Sequence, residues 1–164
     1  MIDDKSHPEI EQIRRLFRRD ERDKRGLFLA DGIRFATQAI ESHAKVQTVL
    51  LAPKVLTGPQ GRRLSDMAAK RGAKRIDVPP DIYYGLSPSK EPQGILLVIQ
   101  RKCSPLPKET GQSLWVALEE VQSPGNFGTI VRSCEAAGAT GCILLGDRID
   151  PFDPSAVRAT MGAI

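Results

Sequence analysis

Apolar residues along this chain return first at helical and then at strand spacing, and their order predicts alternating elements. Ile10, Ile13, Leu16 and Phe17 share one side of a segment from 8 to 19 whose other side carries arginines, and Pro8 suits a first turn. That spacing predicts a short amphipathic helix, followed by a charged turn, DERDKRG. LFLADG (27 to 32) reads as a strand, and in IRFATQAIES the positions Ile33, Ala36, Ala39 and Ile40 form a helical stripe. VQTVLLA (46 to 52) predicts a buried strand, GRRLSDMAAKRG (61 to 72) a helix ended by glycine, and KRIDVP another strand. DIYYGLS predicts a short helix, and GILLVIQ (94 to 100) is the most β-prone run in the chain.

RKCSPLPKETGQS carries two prolines and no periodicity, so it marks a boundary. Beyond it, LWVALEEV (114 to 121) predicts a strand, SPGNFG a tight turn, and GTIVRSCEAA a helix that Gly138 can end by accepting a left-handed backbone. GCILLG (141 to 146) predicts a second buried strand, and Asp153 with Pro154 supplies the cap and first turn of a last helix, SAVRATMGAI. The fold class is α/β, with a first domain at 1–101, a linker at 102–113 and a second domain opening at 114–164 as the start of a parallel sheet. Two strands and two helices leave apolar faces uncovered, so the second domain is expected to continue past Ile164.

Charge narrows the class of partner. The 24 Lys and Arg outnumber the 20 Asp and Glu, a formal net charge of +4 that suits a polyanion. Lys54, Arg62, Arg63, Lys70, Arg71, Lys74 and Arg75 share their stretch with one acid, Asp66, whereas Arg14, Arg15, Arg18, Arg19, Arg22, Lys24 and Arg25 are interleaved with acids. A solvated helix face explains either cluster as well as a binding surface does. No apolar stretch approaches the roughly 20 residues that cross a bilayer, and the polar start MIDDKSHPEI predicts a cytoplasmic protein with no membrane partner. Cys103, Cys134 and Cys142 form an odd set without CxxC spacing, away from His7 and His43, so neither a disulfide scaffold nor a metal site is expected.

The segment that carries chemistry is PGNFGTIVRSCEAAGATGCILLG, 124 to 146. Asn126 stands where a helix cap belongs, between Gly125 and Gly128, which relax the turn. Helical spacing gathers Phe127, Ile130, Val131, Cys134 and Ala137 on one side and turns Arg132 outward, beside the carboxyl end of the preceding strand. In open α/β sheets ligands collect at that end. A capped helix with a solvated arginine is the competing explanation.

This segment resembles the first signature of the SpoU-type RNA ribose 2′-O-methyltransferases of the SPOUT superfamily, matching at Asn126, Gly128, Arg132, Ala136, Gly138 and Ala139. The family's A-S-x-G-A element is echoed by Ala159, Thr160, Gly162 and Ala163. RGLFLADGIRFATQAI and PQGILLVI (92 to 99) resemble the opening and final strand of the family's substrate-binding domain, an α/β sandwich related to RNA-binding ribosomal proteins. Asp31 replaces a usual Glu, Ser123 a frequent Asp and Thr160 a usual Ser.

The resemblance implies S-adenosylmethionine as cofactor, RNA and in particular ribosomal RNA as substrate, and a homodimer through a knotted methyltransferase domain. It implies Arg132 and Asn126 at the reacting nucleotide, while the G-x-E-x-x-G and S-L-N-V-S segments that build the cofactor pocket are expected after Ile164, so no cofactor-binding residue is assigned here. Around the first strand, Arg22, Lys24, Arg25 and Arg34 are the candidates for RNA contact. Trp115, Tyr83 and Tyr84 read as packing residues and not as base-stacking platforms. A non-catalytic RNA-binding module is the alternative function; a dinucleotide-binding oxidoreductase is disfavoured because no G-x-G-x-x-G follows the strand.

Overall fold

The computed structural model describes residues 1–103, 105, 111 and 113–164, in two compact units, Met1–Arg101 and Lys102–Ile164. Most of the expected linker lies outside the described residues.

The first unit is built on a four-stranded sheet. Its strands are β1 (Leu27–Asp31), β2 (Val46–Leu51), β3 (Lys74–Asp77) and β4 (Ile95–Gln100), in the order β1-β4-β2-β3. β4 runs antiparallel to both β1 and β2, and β2 is parallel to β3. This central position explains the unbroken apolar run ILLVI, whose five residues are all buried because both faces of the strand are covered. One face meets α1 (Pro8–Arg15), whose Ile10 and Ile13 pack with Leu16, Leu29, Leu50, Ile76, Leu96 and Val98. On the other face α3 (Ile33–Glu41) packs on α4 (Pro59–Lys70), burying Ala36, Ala39, Ile40, Leu64 and Ala68. A further short helix, α5 (Pro80–Tyr84), buries Ile82 and Tyr83.

The stretch expected as a charged turn is a helix, α2 (Arg19–Arg25), ended by Gly26 in the left-handed region at φ 64°. RDERDKR has no apolar period to announce it. It is held instead by pairs one helical turn apart, Arg19 with Asp23 at 3.8 Å and Arg25 with Glu21 at 2.9 Å.

In the second unit β5 (Trp115–Glu119) and β6 (Gly141–Leu145) pair in parallel, joined by α6 (Pro124–Ala136), and α7 (Pro154–Thr160) follows. Leu118, Phe127, Val131 and Ala156 form its core. Gly141 lies opposite Trp115 in the ladder, and a β-carbon there would meet the Trp115 ring at 2.6 Å, so the indole occupies the space that glycine leaves. Gly138 ends α6 at φ 69°, and Asp153 caps α7 by accepting from the Ser155 amide at 2.8 Å, both as the sequence predicts.

Candidate active site

At the carboxyl end of β5 the chain turns directly into α6, and the PGNFG stretch expected as a turn is that helix's first turn. Its cap is Ser123, whose Oγ accepts from the Asn126 amide at 3.4 Å. The signal is present in the sequence, since proline favours the first helical position and so marks the residue before Pro124 as the cap. Asn126 is therefore not the cap. It stands exposed in the first turn, and its side-chain amide has no partner among the described residues. The capping role that competed with substrate contact is filled by Ser123.

Phe127, Val131 and Cys134 face the core while Arg132 is exposed, as the helical spacing predicts; Ala137, expected among the apolar positions, lies at the exposed helix end. The Arg132 guanidinium lies back along α6. Its Nε donates to the Gly128 carbonyl and its Nη2 to Thr129 Oγ1, both at 3.3 Å. Because helical side chains lean toward the N-terminus, these contacts draw the fork toward the turn that carries Asn126. The strand-end loops add Glu120, in the left-handed region at φ 56°, which pairs with Arg148 at 2.7 Å.

In the first unit the candidate RNA contacts separate. Arg22 is 2% exposed and donates from Nη1 to the Leu16 carbonyl at 2.8 Å, so it is a packing residue and cannot meet RNA. Arg25 is half-buried against Glu21, whereas Lys24 and Arg34 are exposed. The cluster around α1 and α2 is largely neutralised: Arg18 pairs with Asp20 at 2.7 Å and Arg101 with Asp23 at 2.6 Å, besides the pairs of α2.

The other cluster resolves differently. Arg75 is held by Asp66 and Asp77, Lys74 by Glu9, and Arg71 donates to the Ile40 carbonyl. Lys54, Arg62, Arg63 and Lys70 remain exposed and unpaired among the described residues. Arg62 and Arg63 sit in the first turns of α4. That end of the helix is fixed beside the start of β4 by Leu56, which fills the space over Gly61 and Gly94.

The same end of the sheet is organised by Asp31, which closes β1. Its carboxylate accepts from the Tyr83 and Ser87 hydroxyls. Burial first, and the Asp31 charge second, push the Tyr83 phenol far above its ordinary range, so it stays a donor. Gln93 accepts from the Ile33 amide at 2.8 Å, and a β-carbon on Gly32 would crowd that oxygen at 3.0 Å. The loop before β4 is thereby clamped to the turn that presents Arg34. Tyr83 is fully buried, as expected of a packing residue, but Tyr84 is 55% exposed.

A model of the MRM3-like substrate binding domain matches residues 7–97, and a model of the SpoU rRNA Methylase family matches residues 113–164. The chain belongs to the SpoU rRNA methylase family. The match to the substrate binding domain falls in the first unit and the match to the methylase family in the second.

A 23S rRNA (uridine(2479)-2'-O)-methyltransferase of Streptomyces viridochromogenes is 30% identical to this SpoU-family chain over 149 residues, 89% of this chain and 51% of the relative. The chain thus spans about half the length of that curated relative. The crystal structure of an rRNA methyltransferase from Sinorhizobium meliloti matches with a TM-score of 0.88 at 31% identity, covering 99% of this chain and 61% of the other. An AdoMet-bound rRNA methyltransferase from the same organism matches at 0.85 and 30% identity, over 99% and 60%. The α/β fold class expected from the sequence is the one these structures share.

Proposed function

We propose that this chain is the RNA-holding and leading catalytic part of an enzyme that methylates a ribose 2′-hydroxyl in ribosomal RNA with S-adenosylmethionine. The observation that carries the reading is the pairing of Asn126 and Arg132 on α6: both are exposed at the strand end, and the amide of Asn126 is uncommitted among the described residues. The family membership and the printed activity of the Streptomyces relative support it.

Methyl transfer to a hydroxyl requires the oxygen to be held in line and its neighbouring phosphate to be held still. Arg132 suits both tasks, because a guanidinium offers several donors in one plane and grips phosphate with two of them. The role proposed for it is hydrogen bonding and charge, which its planar set of donors supplies. Asn126 adds a neutral donor and acceptor about 1.7 turns earlier on the same helix.

The methyl group would come from S-adenosylmethionine, and the roles proposed for the residues of this segment concern the RNA.

RNA is held, in this reading, by the end of the first unit's sheet that gathers Arg34, Lys54, Arg62 and Arg63. Two copies meet, in this proposal, through the methyltransferase unit. Transfer of a radiolabelled methyl group from S-adenosylmethionine to 23S rRNA by the full-length protein tests the activity. Arg132→Ala should abolish transfer and leave RNA affinity within severalfold; equal loss of both would remove the catalytic assignment.

A further inference from the structure

We propose that the Thr129 hydroxyl is a positioning group for Arg132, fixing the guanidinium so that its uncommitted donors face the RNA. This rests on the reading in which Arg132 contacts the reacting nucleotide.

A hydroxyl has one proton to donate and two lone pairs with which to accept. The Thr129 proton is committed to the Gly125 carbonyl, with Oγ1 and that oxygen 3.0 Å apart. Only lone pairs remain toward Arg132, whose Nη2 donates to them at 3.3 Å. The same guanidinium donates through Nε to the Gly128 carbonyl, also at 3.3 Å. One such bond would leave the group free to swing about it. Two bonds from a rigid planar fork to two acceptors on one helix define its plane.

Both acceptors belong to the turn of α6 that precedes Arg132, so the fork is aimed at the end of the helix that carries Asn126. Nη1 has no partner among the described residues and remains for a phosphate or hydroxyl oxygen. An arginine held this way surrenders its rotamer freedom before the nucleotide arrives, which is how a supporting residue sharpens a site it does not itself touch. Threonine suits the task because it offers the hydroxyl on a β-branched stem with few rotamers.

The test uses the full-length protein, steady-state methyl transfer to 23S rRNA and RNA binding measured separately. Thr129→Val keeps the shape and deletes the hydroxyl; it should lower kcat roughly 5- to 20-fold with KM for RNA within about twofold, the signature of impaired alignment. Thr129→Ser restores the hydroxyl and should restore kcat to within about twofold. Should valine disturb folding, as thermal unfolding would reveal, Thr129→Ala deletes the same group on a good helix former. Unchanged kcat in the variants lacking the hydroxyl, while Arg132→Ala is inactive, overturns the positioning role and leaves the function standing. A serine variant as impaired as valine overturns it too, because the hydroxyl is then not what matters. Full activity in Arg132→Ala removes the parent reading, and this proposal with it.

Discussion

Gly128 and Ala159 meet backbone to backbone: a β-carbon on Gly128 would lie 2.3 Å from the Ala159 carbonyl carbon. Here α6 crosses α7, and the two sequence elements that resemble the family, N-x-G and A-T-x-G-A, are joined by packing. Thr160, beside the contact, is fully buried and returns its hydroxyl to the Val157 carbonyl at 2.7 Å. The glycine is required for closeness, not for an unusual backbone angle.

Gly128→Ala therefore opposes two effects. Alanine favours a helix interior over glycine by about 1 kcal/mol, while overpacking against an immovable backbone costs about 1–3 kcal/mol or more. Because the clash is with backbone at 2.3 Å the upper end of that cost applies, about 3 kcal/mol, and urea denaturation should show a net loss of about 2 kcal/mol. Gly125→Ala, which meets only Ser123 Oγ at 3.6 Å, should be neutral or mildly stabilising. Equal effects at the two positions would mean that α6 and α7 do not touch as described.

Much of the fold is legible in the sequence because periodicity tracks burial. The apolar stripes at Ile10 and Ile13 and at Ala36, Ala39 and Ile40 face cores, and ILLVI is the covered central strand. What periodicity cannot register stays hidden. α2 has no apolar stripe, and its ion pairs leave no spacing signature beyond charge. Arg22 is masked for the same reason, since a guanidinium that packs and one that binds look alike in a run of charges. In the candidate site, Arg132's outward direction follows from helical geometry, but the displacement of Asn126 from the cap depends on Pro124, which shifts the helix start toward Ser123. Thr129's contact with Arg132 has no sequence signal except its place one turn earlier.

Because Arg22 packs, its removal should be felt in stability and not in RNA binding. Arg22→Met leaves the buried Leu16 carbonyl without its donor, a loss of about 1–3 kcal/mol in denaturant titration. The salt dependence of RNA affinity should match the wild type. A shallower slope would return Arg22 to the interface.

Arg62 and Arg63 should behave in the opposite way. Both are exposed and free of ion pairs among the described residues, so neutralising them to glutamine touches little in the fold. Every phosphate that is no longer neutralised should reduce the slope of log affinity against log salt by roughly 0.7–0.9. Arg18→Gln is the control, since Asp20 already neutralises that charge and the slope should barely move. An unchanged slope in Arg62→Gln/Arg63→Gln would put the RNA on another surface.

Tyr83→Phe deletes one of the two hydroxyls that satisfy the Asp31 carboxylate and also a weaker contact to the Ile95 carbonyl at 3.3 Å. A hydrogen bond to a charged group contributes about 1.5–3 kcal/mol, and a loss of that size is expected in urea. Loosening should spread to the clamped loop, so amide exchange at Ser87, Ser89 and Ile33 should accelerate relative to the β4 core. Uniform exchange rates would show that the Asp31 network does not hold the loop.

The three thiols should separate by reactivity. Cys103 is exposed, whereas Cys134 is buried and Cys142 partly so. Burial first, and contact with Cys134 second, push the Cys142 thiol from 9.0 to about 11, so at pH 8 it is almost wholly the unreactive protonated form. Iodoacetamide at that pH should give one fast equivalent, absent in Cys103→Ser, and two slow ones. The same shift couples to stability: because the folded thiol ionises later than the unfolded one, its contribution is complete below about pH 9 and is lost as pH rises toward 11. Stability in urea should therefore fall across that window by less in Cys142→Ala than in the parent protein. Fast alkylation of Cys142 in the folded state, or identical pH slopes in the two proteins, would mean that the thiol is not shielded between α6 and β6.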